Sequence, residues 1–121
     1  MKKQTIFFSL ISALLLAACT NKTAYSTMLA QADSLLTSQP DSALRILQSI
    51  PTEDLKTEAD IAYHALLLTQ ARDKNYIAQT DDSLIRIAVQ YYDAHKQAEM
   101  QARAYYCWGS IYRISMTILK P

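Results

Sequence analysis

The feature that most constrains this chain is a short sequence that occurs twice. Residues 41–46 read DSALRI, and 41 positions later residues 82–87 read DSLIRI. A second motif recurs at almost the same interval, since AYHAL at 62–66 is followed 42 positions later by AYYCW at 104–108. A fainter copy, AYSTM, begins at residue 24. Two motifs that repeat with nearly one period are typical of a fold in which copies of a single unit are stacked.

The repeated unit is predicted to be a pair of helices. The chain has one glycine and three prolines among 121 residues, and a sheet protein would need more turn residues. Apolar residues recur at helical spacing, and Asp41 and Asp82 lie where helix N-caps are expected. We predict helices at about residues 24–37, 41–50, 55–73, 81–95 and 98–115. The connections between these predicted helices are short, which makes neighbouring helices antiparallel. The expected fold is therefore all-α, with helix pairs stacked as a short solenoid. An irregular helical bundle is the alternative.

The first nineteen residues, MKKQTIFFSLISALLLAAC, have the pattern of an export signal. Lys2 and Lys3 precede an apolar run at 6–18, and polar residues follow Cys19. A run of this length at the helical rise falls well short of the ~30 Å hydrocarbon core, so a removable signal explains it better than a membrane-spanning helix. We predict that residues 1–18 are removed, that residues 19–23 form a tether, and that residues 24–121 form the helical domain.

Leu16-Ala17-Ala18-Cys19 resembles the lipobox of bacterial lipoproteins. The resemblance implies cleavage before Cys19, a diacylglycerol thioether on its sulfur, and acylation of the new amino terminus by a fatty acid such as palmitate. Because residue 20 is Thr and not the Asp that retains lipoproteins at the inner membrane, the resemblance favours the outer membrane. The periplasmic and the surface face both stay open, and an ordinary cleaved signal with a chance cysteine is the alternative.

Removal of the signal changes the balance of charges and cysteines. The chain has twelve basic and eleven acidic residues, so without Lys2 and Lys3 ten basic residues remain against eleven acidic, a net charge of −1. No basic cluster follows residue 3, and a nucleic-acid partner is therefore not expected. With Cys19 lipidated, Cys107 has no internal disulfide partner and is best explained as a small buried hydrophobe.

Tyr105, Trp108, Gly109 and Tyr112 resemble the first-helix signature of a tetratricopeptide repeat (TPR). Gly109 is the only glycine in the chain and costs a helix interior ~1 kcal/mol relative to Ala; the resemblance implies that this small residue lets a paired helix approach closely. The family's repeat is about 34 residues long, whereas the interval here is 38–42 residues, so the units are TPR-like. The chain is similar to the N-terminal part of longer TPR-containing lipoproteins and regulators of Gram-negative bacteria.

The third unit contains one predicted helix where the others contain two. In this interpretation Trp108, Ile111 and Tyr112 have no mate within the chain. Two explanations stay open: a truncated chain whose function belongs to a longer regulator, and a short protein that pairs this face with a partner.

The TPR-like register also implies a concave surface formed by the first helix of each pair. The residues placed there are His64, Leu68, Arg72, Arg103, Tyr106, Ser110 and Arg113. Arginines beside tyrosine suit a peptide segment that carries carboxylates, because a guanidinium forms forked hydrogen bonds with them. The alternative is that these are ordinary solvated positions.

Residue patterns for catalysis or cofactor binding are sparse. Asp60 with His64, and His95 with Glu99, lie four positions apart on predicted helices, but two ligands do not make a metal site. One glycine is too few for a glycine-rich phosphate loop, and no nucleophile turn is recognisable. We therefore predict no enzyme activity and no cofactor. The expected function is that of a lipid-anchored, TPR-like module that binds an unidentified protein or peptide, as the N-terminal part of a scaffold or sensory regulator. The alternatives are an outer-membrane accessory lipoprotein for polysaccharide uptake and a nonfunctional remnant.

Overall fold

A computed structural model describes residues 24–118; the predicted signal, Cys19 and the tether lie outside the described residues. Within this range no helix is long and apolar enough to cross a membrane. The described chain forms five α-helices and one short 3-10 turn at Thr52–Asp54. The helices are α1 (Ala24–Leu35), α2 (Pro40–Ser49), α3 (Glu58–Lys74), α4 (Ser83–His95) and α5 (Ala98–Ile118).

Local signals explain where most helices begin and end. α2 begins with Pro40, whose missing N–H costs nothing in a first turn, and ends just before the extended residue Ile50. α3 begins after Thr57, whose Oγ1 accepts a hydrogen bond from the backbone N–H of Asp60 at 3.1 Å. α4 is followed by Lys96, which has a left-handed backbone conformation with φ of 52°. The start of α2 and the ends of α2 and α4 lie within one residue of the predicted bounds.

Two helix starts differ from the prediction. α3 begins at Glu58 and not near residue 55, because Thr52–Asp54 form a separate turn and Leu55 is extended and buried. α4 begins at Ser83 and not at residue 81, because the Asp81 carboxylate accepts a hydrogen bond from the Ser83 N–H at 2.6 Å. Such a side-chain turn competes with the helical backbone and delays the start of the helix.

Two apolar cores lie on different sides of α3. The first packs α1 and α2 against α3, and Leu29, Leu47 and Leu67 are fully buried in it. The second packs α4 and α5 against α3, with Leu66 and Ile85 fully buried. Consecutive helices contact one another, and α3 also contacts α1 and α5. This arrangement confirms the predicted all-α fold of stacked helix pairs.

α3 and α5 are the first helices of successive pairs, and their structural interval is slightly shorter than the interval between the sequence motifs. The residues that pack against the preceding pair are Leu67 and Ala71 on α3, and Cys107 and Ile111 on α5, an interval of 40 positions. This correspondence makes Thr69 the counterpart of Gly109. The interval of 42 positions between the sequence motifs would instead pair Gly109 with the large Leu67. Thr69 is small and fully buried. Both first helices therefore carry a small residue at the same place.

Candidate functional site

Two of the predicted groove residues lie inside the molecule. His64 is 4% exposed and Leu68 is 8% exposed. The imidazole Nε2 of His64 is 3.0 Å from the backbone carbonyl oxygen of Leu47 on α2. Because α3 is the central helix, α1 and α2 cover the side that carries these residues. His64 and Leu68 therefore do not line an open surface, contrary to the prediction.

Arg103 is bound by side chains of the protein itself. Its guanidinium donates to both carboxylate oxygens of Asp33, at 2.8 and 3.2 Å, and to Oε1 of Gln70 at 2.7 Å. The Tyr63 hydroxyl also donates to Asp33. Burial disfavours the charged carboxylate, but the bonds from Arg103 and Tyr63 outweigh it and hold the pKa of Asp33 below its ordinary value. We call these four residues the Asp33 clamp; it joins α1, α3 and α5.

The remaining predicted groove residues are Arg72, Tyr106, Ser110 and Arg113. Arg72 lines a recess beside residues 77–81, whereas Ser110 borders a small internal space. Arg113 lies along the outer side of α5, and Tyr106 is exposed. A shared peptide-binding role for these four residues stays a prediction.

An open apolar depression of about 760 Å³ lies along one side of α5 and is lined by residues of that helix. The residues that line it, which we call the aromatic face, are Tyr105, Trp108, Gly109, Tyr112, Arg113, Met116 and Thr117. Tyr112 is 64% exposed, Met116 59% and Tyr105 46%. Contiguous exposure of large apolar side chains marks a binding surface more often than an ordinary solvated one.

The polar atoms at the edge of the aromatic face are held by α4 and its N-cap. Trp108 Nε1 donates to the Asp82 carboxylate at 2.9 Å, and the Tyr105 hydroxyl donates to Asp93 at 2.6 Å. The hydrogen bond to Asp93 raises the pKa of Tyr105. The centres of the two rings lie 5.9 Å apart in a tilted pair. Because their polar atoms are already satisfied, the rings offer mainly apolar surface to a molecule that contacts α5.

Gly109 lies in the middle of this face and has open space above it. A Cβ atom added there would meet nothing within 4 Å. The family resemblance implied a helix packed closely against this glycine, and no helix of residues 24–118 fills that place. Of the three residues expected to lack a mate, Ile111 is buried in the second core, Trp108 is half-buried and Tyr112 is exposed. The uncovered surface is therefore narrower than expected and centres on Gly109 and Tyr112.

Sequence reasoning missed Met116 as part of this surface. Tyr105, Gly109, Tyr112 and Met116 follow one another at intervals of four, three and four residues. This alternation places the four residues on one stripe of a helix. The spacing is readable from the sequence alone, but the groove prediction selected the neighbouring stripe.

The histidines and the buried cysteine are explained by packing. In the part of the chain that the structure describes, no three His, Cys, Asp or Glu side chains are grouped closely enough to hold a metal ion. His95 Nδ1 lies 2.8 Å from the Tyr91 carbonyl oxygen, and its ring stacks on that of Tyr91. Burial raises the pKa of Cys107 to about 11, so the thiol is protonated near neutral pH and is a poor nucleophile.

No family model, no curated protein and no solved structure matches this chain. The resemblance to TPR proteins therefore depends on the motif around Gly109 and on the stacked helix pairs. The aromatic face, with its exposed large apolar side chains, is the candidate binding surface.

Proposed function

We propose that the chain is a lipid-anchored, TPR-like module that binds protein by docking a helix on the aromatic face of α5. The observation that carries the proposal is the open space above Gly109, beside the exposed Tyr112 and Met116. A small residue between large ones forms a notch in the helix surface. A second helix can pack its side chains into such a notch without displacing atoms of the first.

The pairing of α3 with α4 is an internal example of such docking. Thr69, the counterpart of Gly109, is fully buried, and Ala65 on the same side of α3 is buried in the core shared with α4. The residue of α5 that corresponds to Ala65 is Tyr105, which is exposed. A partner helix on α5 would take the place that α4 takes on α3.

Apolar burial would supply the driving force for docking. Fully burying one large apolar side chain contributes roughly 1.5–3 kcal/mol, and Tyr112 and Met116 are more than half exposed. Recognition of a helix in a groove uses anchors spaced three and four residues apart, which is the spacing on α5. Because binding also costs rotational and side-chain freedom, we expect a few residues to dominate the affinity, with Trp108 and Tyr112 foremost.

Photocrosslinking of the full chain in its membrane tests the docking surface. A photoreactive phenylalanine analogue in place of Tyr112 is expected to capture a polypeptide, since this residue projects from the aromatic face. The same analogue in place of Arg45 on α2, whose side chain is 75% exposed, is the control for random capture. Equal capture at both positions, or none at position 112, would refute the proposed function.

The lipid anchor is a separate part of the proposal. Cys19→Ala is expected to abolish acylation and release the chain from the membrane fraction, because the thioether needs the thiol. Cys107→Ala is the matched control, since this buried cysteine lies outside the lipobox. Labelling with a palmitate analogue and membrane fractionation report on both variants. Label that persists in Cys19→Ala would contradict lipid attachment at this residue.

A further inference from the structure

A recess of about 350 Å³ lies beside residues 75–82, the segment that connects α3 to α4. Its lining comes from four parts of the chain: Thr69 and Arg72 of α3, residues 77–81 of the connection, Leu84 of α4 and Ile111 of α5. Small-molecule sites in proteins have volumes of roughly 300–1,000 Å³, so the recess has the size of a site for a small ligand. It shares no lining residue with the aromatic face.

Hydrogen bonds hold the connection against α3 and α5. Gln79 Nε2 donates to the backbone carbonyl oxygen of Thr69 at 3.1 Å. Ser115 Oγ on α5 donates to the backbone carbonyl oxygen of Thr80 at 3.1 Å. The recess is therefore formed before a ligand arrives, and a preformed site lowers the cost of ordering the chain on binding.

Arg72 brings a cation without a partner to this recess. Of the five arginines of the chain, Arg72 and Arg103 are partly buried, and the other three are exposed. Arg103 is bound by Asp33, whereas the ion pairs within residues 24–118 do not include Arg72, and its guanidinium donates no hydrogen bond there. A cation that is partly removed from water is costly unless an anion compensates it. An anionic group of a ligand in the recess supplies that compensation.

Asp81 brings a carboxylate to the same recess. Hydrogen bonds from Ser83 hold the pKa of Asp81 below its ordinary value, so the carboxylate is charged near neutral pH. Asp81 forms no ion pair with Arg72 or with another cation of residues 24–118. The recess therefore contains two opposite charges that do not neutralise each other. A ligand that carries one charge of each sign satisfies both.

We infer that this recess binds a small zwitterion, namely a free amino acid with an apolar side chain. Arg72 holds the ligand carboxylate by forked hydrogen bonds, and Asp81 holds its ammonium group. The apolar side chain of the ligand lies against Ile77, Leu84 and Ile111, which are the large apolar residues of the lining. The site goes beyond the proposed docking function and does not depend on it, because the aromatic face is a separate surface.

Isothermal titration calorimetry of the full-length chain in detergent tests the class of ligand. The probes are leucine, valine and phenylalanine, and at least one is expected to bind saturably with a dissociation constant in the millimolar range or below. The controls are analogues of the best-bound probe that lack one charged group; for leucine these are isocaproate, without the ammonium group, and isoamylamine, without the carboxylate. Each analogue is expected to bind at least about tenfold more weakly. Failure of all three amino acids to bind, or an analogue that binds as well as its amino acid, would overturn the inference.

Substitutions test whether the ligand occupies this recess. Arg72→Gln and Asp81→Asn each remove one charge and are each expected to weaken binding of the best-bound probe by at least about tenfold. Arg86→Gln at an exposed position of α4 and Asp41→Asn at an exposed position of α2 are the matched controls. Ala78→Leu, at an exposed position of the lining, fills the recess and is expected to abolish binding.

Circular dichroism checks that each variant keeps the helical fold, and only folded variants are compared. Ala78→Leu keeps both charges, so it tests the recess even where a charge substitution unfolds the chain. Binding that is unchanged in Arg72→Gln, in Asp81→Asn or in Ala78→Leu contradicts this site. An equal loss of binding in the matched controls contradicts it as well.

Discussion

Arg103 makes three hydrogen bonds to side chains of α1 and α3. A free arginine at this place would attract a carboxylate from a peptide, but Asp33 already supplies one. The groove hypothesis therefore loses its best-placed cation, and the surface available for recognition moves to the outer side of α5. At the scale of single residues, a side chain that is bound within the protein, as Arg103 is, is not available to a partner.

The Asp33 clamp is expected to stabilise the fold measurably. Arg103→Met keeps the length of the side chain and removes its donors, which leaves Asp33 without its main partner. We expect a loss of about 1–2 kcal/mol in the free energy of unfolding, since the ion pair is charge-assisted but retains some contact with solvent. Urea denaturation measures this, with Arg86→Met at an exposed position of α4 as the control. Equal stability of the two variants would contradict a stabilising clamp.

The clamp also predicts how stability depends on acid. The pKa of Asp33 in the folded protein lies below the ordinary value of 3.8, so the unfolded chain binds a proton first as the pH falls. The stability that the carboxylate contributes is therefore present above the ordinary value and lost as the pH falls through the folded pKa. Asp33→Asn should lose less stability than wild type between about pH 5 and about pH 2, as followed by urea denaturation at each pH. Parallel pH profiles for the two proteins would argue against this assignment.

At the scale of helices, the connection between α4 and α5 contains a strained residue. Lys96 has a left-handed conformation that costs most residues about 1–2 kcal/mol and that glycine adopts readily. Lys96→Gly is therefore expected to raise the free energy of unfolding by about 0.5–1 kcal/mol. Lys74→Gly, in the last turn of α3, is the control and should lower it, because glycine is unfavourable within a helix. Thermal unfolding compares the two, and a destabilised Lys96→Gly variant would speak against strain at this position.

The helices themselves were largely predictable, because their signals are local. Pro40 begins α2 within one residue of the predicted start, because its missing N–H costs nothing in a first turn. The start of α3 was misplaced because Leu55 serves the core from an extended segment, and its apolar character alone resembles the beginning of a helix. The start of α4 was placed two residues early because Asp81 forms a preceding turn with Ser83, and the helix begins only after Asp82, the residue expected at the N-cap.

At the scale of the whole molecule, α3 couples the two cores. Leu67 is fully buried on the side of α1 and α2, whereas Trp108 packs on the core shared with α4 and α5. Leu67→Ala is expected to cost about 2–5 kcal/mol and to shift the unfolding transition reported by Trp108 fluorescence, although the two residues lie in different cores. Circular dichroism and fluorescence should then give one coincident transition. A fluorescence transition that stays at its wild-type midpoint would show that the cores unfold independently.

The site was less predictable than the fold, because its decisive contacts are remote in sequence. Arg103 and Asp33 lie 70 positions apart, and no local pattern shows that they meet. His64 and Leu68 were assigned to an open surface from a repeat interval of 42 positions, whereas the packing interval is 40. A difference of two positions moves a residue to the opposite side of a helix, so the two residues lie on the buried side. The stripe that runs through Gly109 and Tyr112 was visible in the sequence, but its exposure depends on how the whole stack is assembled.

The span of the Asp33 clamp has a consequence for synthesis on the ribosome. Asp33 and Tyr63 emerge from the exit tunnel well before Arg103, so a nascent chain that has already paired α1 with α2 still lacks the cation that neutralises this carboxylate. Contacts between residues this far apart form late, because the intervening chain must first be ordered. The arrival of α5 is therefore the step that locks the earlier helices, and a nascent chain that has not yet reached Arg103 lacks the stability that the clamp contributes.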